Sequence, residues 1–130
     1  MTDLALRLLE RPVRGVRVPR SGQLLLYASD ALAVLLGATR VKAMQHYMAL
    51  SRRAPELRHH GRPLGACNHA QLCYKHGHDV VITLEGLLRI AAISRSPGVV
   101  ANRVAFVNAL CALFAPPSLD APPTISTARA

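Results

Sequence analysis

Residues 28–48 read ASDALAVLLGATRVKAMQHYM, and the fold turns on how this stretch is divided. Ser29 is a suitable N-cap, and Asp30 follows where a carboxylate meets the positive end of a helix. Leu32, Leu35 and Leu36 then form one apolar face. Gly37 ends the helix, because the left-handed cap conformation is cheap only for glycine. Thr39 caps a second helix over 40–50, with Val41, Met44, Met48 and Tyr47 predicted on its inner face. Arg40, Lys42, Gln45 and His46 fall toward the other side. Two helices joined by a short glycine-containing turn are the helix-turn-helix arrangement, which offers the start of its second helix to a DNA major groove. Ala33 supplies the small residue such a motif needs, whereas His46 stands where an apolar residue is usual. An ordinary αα-hairpin in a core is the other reading of this pattern.

On the N-terminal side, TDLALRLLE (2–10) predicts a short helix capped by Thr2 and stopped by Pro12. RGVRVP, a turn at RSGQ and LLLY predict a β-hairpin over 14–27, with Arg14, Arg17 and Arg20 on its wet side. On the C-terminal side, 51–78 is polar and broken by Pro and Gly, which predicts loops and a short hairpin. DVVIT (79–83) predicts a buried strand. Thr83 caps a helix to about Ser94 whose apolar face is Leu84, Leu87, Leu88 and Ala91. Pro97 starts a last helix, about 98–114, on which Val100, Val104, Val107, Cys111 and Phe114 make an apolar stripe. That stripe reads as core, with a dimer seam as the alternative. The expected fold class is therefore α+β. It is a small single domain over 1–114 with an N-terminal hairpin, a helix-turn-helix-like pair and a C-terminal amphipathic helix. The Pro-rich 115–130 is expected to be a disordered tail.

The chain of 130 residues carries sixteen Lys and Arg against seven Asp and Glu, a formal charge of +9. Such a balance favours a polyanionic partner. Fourteen of the cations are Arg in an Ala-rich sequence, so coding bias is a competing source of the charge. Three cysteines, no leader-like N-terminus and no apolar run of membrane-span length predict a soluble intracellular protein without a disulfide framework. Cys67, His69, Cys73, His76 and His78 include natural zinc ligands, but C-x5-C-x2-H lacks the paired C-x2-C knuckle. They read as buried cysteines and surface histidines, so no metal and no cofactor is expected. P-loop, G-x-S-x-G and H-E-x-x-H motifs are missing, no nucleophile, base and orienting group can be named together, and no enzyme is expected.

HDVVITLEGLLRIAAISRSPGVVANRVAFVNALCALF (78–114) resembles the signature of the Bro-N domain of baculovirus repeated-open-reading-frame proteins and phage antirepressors. The matching pieces are Ile82–Thr83, Glu85–Gly86–Leu87 and Ser94–Arg95–Ser96–Pro97. Upstream, Val16–Arg17–Val18, Leu24–Tyr27, Ala28–Ser29–Asp30, Leu36–Gly37 and the basic 40–48 with Ala43 and His46 follow the family order. The aromatics usual before the first helix and on the last one are replaced by Leu25–Leu26–Tyr27 and by Phe106.

The resemblance implies a small α+β fold and a viral DNA-binding protein. Such a protein would act in gene regulation or on chromatin in the host nucleus, or in the bacterial cytoplasm if the source is a phage. Double-stranded DNA is then the expected partner, with no membrane role and with a homodimer and a host protein as further candidates. Arg40, Lys42, Gln45 and His46 are expected at the groove, and Arg17, Arg20, Arg52, Arg53 and Arg62 on phosphates. Binding should be mainly electrostatic with weak sequence preference. The alternative is a protein-interaction module of the same fold that binds no nucleic acid.

Overall fold

The computed structural model describes residues 2–64 and 71–115. The predicted tail lies almost wholly outside them, as do Cys67 and His69. Five antiparallel strands form one sheet in the order β1-β2-β3-β5-β4. They are β1 (Thr2–Leu8), β2 (Arg11–Arg17), β3 (Leu24–Tyr27), β4 (Cys73–His76) and β5 (Asp79–Ile82). Four helices, α1 (Ala28–Leu36), α2 (Arg40–Arg53), α3 (Leu84–Ile93) and α4 (Pro97–Phe114), pack with one face of the sheet into the main core. The fold is α+β, as the sequence predicts.

The N-terminal helix expected over 2–10 is instead strand β1, paired with β2 from Thr2↔Arg17 to Leu8↔Arg11. Leu4, Leu6 and Leu8 alternate with Asp3, Ala5 and Arg7, and this period of two places Leu6 and Leu8 in the core. Thr2 and Asp3 therefore cap nothing. The β1–β2 turn is made by Leu9 and Glu10, both at positive φ (49° and 64°). That conformation suits Asn-Gly and strains a leucine. Leu9→Asn with Glu10→Gly should stabilise the protein by about 1 kcal/mol, read from chemical unfolding.

The predicted hairpin over 14–27 is the β2–β3 pair, with β2 beginning earlier. Arg14 is not a free wet-side cation. Its backbone N–H and its guanidinium donate to Asp30 at 2.8 and 2.9 Å, and the guanidinium lies 4.3 Å from the centre of the Tyr27 ring. Burial would raise the Asp30 pKa, but the Arg14 hydrogen bonds outweigh it and hold the carboxyl below its ordinary range. The other face of the sheet carries a small second cluster, Val16, Leu25, Tyr27, Leu64, Tyr74 and Val81.

β3 runs straight into α1. Tyr27 occupies the cap position without a side-chain bond, so Ser29 is not the cap; its hydroxyl donates to Asp30 instead. Gly37 ends α1 at φ 63°, as predicted. Carbonyls in the last turns of α1 gain a side-chain donor from a distance, the Ala33 oxygen in addition to the Ala38 backbone N–H it already accepts. Arg11 donates to the Ala33 oxygen at 3.0 Å, and the Asn102 amide to the Leu35 oxygen at 3.1 Å. Arg58 does the same for the Ser51 and Arg52 oxygens at the end of α2, and Arg103 for those of Ala91 and Ser94 at the end of α3. Several guanidiniums of this basic chain thus terminate helices, where their charge also opposes the negative helix end.

The stripe predicted as core on α4 is turned differently. Val99, Phe106 and Leu110 are buried, while Val100, Val104 and Cys111 are exposed. On α3 the buried set is Gly86, Leu87, Ile90 and Ala91, which adds Ile90 and leaves Leu84 and Leu88 half-buried.

Candidate nucleic-acid interface

The turn between α1 and α2 is Gly37–Ala38–Thr39, and the Thr39 hydroxyl accepts the Lys42 N–H at 3.3 Å. This caps the first turn of α2 and fixes the direction in which Arg40, Val41 and Lys42 leave the fold. α2 packs on α1 and on the single 3-10 turn Pro55–Leu57. Its buried residues are Ala43, Tyr47 and Leu50, and the Tyr47 hydroxyl donates to the Leu57 oxygen at 2.6 Å. The small Ala43 lets α2 lie close to its neighbours, and Tyr47 anchors its middle.

This rotation of the helix overturns part of the predicted inner face. Val41 and Met48 are not inside; they are 69% and 53% exposed, and Met44 is half-buried. At about 100° per residue, Val41, Gln45, Met48 and Arg52 line one stripe opposite Leu50. Lys42, Ala49 and Arg53 flank it on one side, and Arg40 lies on the other. α2 carries no carboxylate. Among the described residues Lys42, Arg52 and Arg53 take part in no ion pair, and Arg40 meets only Asp30, at 3.8 Å, while Asp30 is already held by Arg14.

His46 does not join this surface. Its Nε2 lies 2.7 Å from the hydroxyl of the fully buried Ser94, tying α2 to the end of α3. Burial, helped by the charge of Arg53, lowers the His46 pKa. The unfolded chain then takes up more protons than the native one as pH falls below about 6.5, so this interaction loses its stabilising effect on the acid side. His46→Gln keeps a hydrogen-bonding side chain and removes the titration. The expected result is a shallower fall in unfolding free energy between pH 7 and 5 than in the parent.

The remaining predicted phosphate contacts lie on other elements. Arg17, whose guanidinium donates to the Gly22 oxygen, ends β2, and Arg20 lies in the β2–β3 turn. Arg62 sits on the segment that pairs with β4 through its own carbonyl and the Lys75 N–H. Of the cysteine and histidine group, Cys73 and His76 lie three residues apart on β4 and serve opposite faces. Cys73 is in the main core beside Tyr47, and burial pushes its thiol pKa up to about 12. His76 lies against the Tyr27 ring and 3.8 Å from Asp3. They form neither a ligand pair nor a nucleophile and base. Among the described residues no group of three His, Cys, Asp or Glu side chains is placed to hold a metal ion.

The exposure of Val41 and Met48 is not readable from the sequence. Both are apolar, and apolarity alone does not say which way a helix is turned. No family model matches the chain, and no curated protein and no solved structure matches it either.

Proposed function

We propose that this chain is a non-enzymatic double-stranded DNA-binding protein that places α2 in the major groove. The resemblance to the Bro-N domain extends this reading to a viral regulator of transcription or a protein acting on host chromatin. The observation that carries the proposal is the outward face of α2, four cations and a glutamine on a helix without a carboxylate. An α-helix about 10–12 Å across suits a groove about 12 Å wide. A second helix that starts, capped, after a three-residue turn supports this reading, since a helix-turn-helix offers the start of its second helix to the groove. Phosphate contacts from Arg40, Lys42, Arg52 and Arg53 supply affinity, and their salt dependence is the signature to measure. The test is binding to a mixed-sequence duplex across a salt series. A log–log slope of several units supports the reading, and no binding by folded protein at low salt overturns it.

A second reading, a protein-interaction module, is favoured by α4. Its exposed surface includes Val100 and Val104, 59% and 72% exposed, and its only charged residue, Arg103, is engaged with α3 carbonyls. α4 is also long and apolar enough to cross a membrane by composition, yet Val99, Phe106 and Leu110 commit one side of it to the core. On this reading the parent self-associates and binds no duplex DNA, and Val104→Glu converts it to a monomer in sedimentation. A parent that is already monomeric at high concentration removes the support.

A further inference from the structure

We infer that α2 reads thymine methyl groups, so that the preferred ligand is duplex DNA with T·A pairs across the central contact; this rests on the DNA-binding reading above. Two of the five large apolar side chains exposed among the described residues, Val41 and Met48, lie on this one helix. They are seven residues apart, two turns, and share the outward stripe with Gln45 between them. Single exposed apolar residues are ordinary on protein surfaces. Two aligned with a glutamine on a face flanked by cations are a different matter. An apolar protein partner would have to bury beside Arg40, Lys42, Arg52 and Arg53, whose desolvation opposes it. A major groove answers both features at once, with phosphates on its rims for the cations and base edges on its floor for the stripe.

Among base edges in that groove, thymine alone among the four bases presents an apolar group, its 5-methyl. A glutamine suits the adenine edge, donating to N7 and accepting from the N6 amino group. Val41, Gln45 and Met48 are therefore matched to T·A pairs, and Arg52 at the end of the stripe to a guanine edge or a phosphate. From Val41 to Arg52 the stripe runs about 16 Å, on the order of five base-pair steps. This replaces the expectation of weak sequence preference with a specific one.

The test uses the whole chain and two duplexes of one A/T-rich sequence, the second with uracil in place of every thymine. The two have the same charge and the same hydrogen-bonding edges and differ only in the 5-methyl groups. The expected result is binding about three- to tenfold tighter to the thymine duplex. Val41→Gln with Met48→Gln, both at exposed positions, should bind the two duplexes alike. Equal affinity of the parent for thymine and uracil duplexes, with a steep salt slope, overturns the methyl reading and leaves DNA binding standing. A thymine preference that survives in the double variant places the methyl recognition elsewhere and overturns the assignment to α2. No binding to either duplex at low salt overturns both proposals.

Discussion

Replacing Arg40, Lys42, Arg52 and Arg53 together by alanine lowers affinity for duplex DNA by about 10²–10³-fold at moderate salt and cuts the salt slope by about 3 to 4 units. Each cation seated on a phosphate releases close to one condensed counterion, so the fall in slope reports how many phosphates these side chains neutralise. Stability should change little. All four side chains are exposed, alanine is the best helix former, and the residues that hold α2 in place are Ala43, Tyr47 and Leu50. Within the fold the change removes the approach of Arg40 to Asp30, at 3.8 Å, where Arg14 remains on that carboxylate, and the charge of Arg53 beside His46. Unfolding curves recorded beside the binding curves separate a weakened interface from a damaged fold. A slope that falls by one unit or less moves the phosphate binding to Arg17, Arg20 and Arg62 and removes α2 from the interface. Changing Arg17 and Arg20 in the same way gives the comparison, since the β2–β3 hairpin belongs to a different part of the fold.

What is legible in the sequence is local. Gly37, Thr39, Thr83 and Pro97 mark helix ends through backbone conformation and hydrogen bonds within four residues, and all four stand where predicted. The DVVIT strand is legible for the same reason. β1 is not, because Leu4, Leu8 and Leu9 also fit a helical spacing, and only pairing with β2 decides for the period of two. The outward faces of α2 and α4 escape for one shared reason. Val41, Met48, Val100 and Val104 read as core because they are apolar, whereas Ala43, Tyr47, Val99 and Phe106 fill it. Which stripe of a mostly apolar helix turns inward depends on its partners in space. The same holds for His46, whose neighbour Ser94 is 48 residues away, and for Asn102, whose acceptor Leu35 is 67 residues away. In the candidate site, the cations of α2 are readable from sequence and the apolar part of the reading surface is not.

The junction of α1 and α4 predicts the largest effect on stability. A Cβ added at Gly98 would lie 2.6 Å from the Leu36 carbonyl oxygen, in the last turn of α1. Helix propensity alone favours Gly98→Ala by up to about 1 kcal/mol. The clash opposes it, and the sign depends on whether that oxygen can move. It is backbone, and its neighbours are held: the Leu35 oxygen by the Asn102 amide, the Ala33 oxygen by Arg11. α4 cannot back away without breaking the first of these bonds, so the overpacking prevails. Gly98→Ala should cost about 2–3 kcal/mol, a fall in Tm on the order of 10 °C. The end of α1 also sets the start of the Gly37–Ala38–Thr39 turn, so a displaced α4 transmits to the direction in which α2 leaves the fold. Asn102→Ala releases the clamp, and the double variant should therefore lose less than the sum of the two single ones. Strictly additive losses would mean that the two helices move apart independently of Asn102, and a Tm unchanged in Gly98→Ala would show that the junction is looser than its geometry indicates.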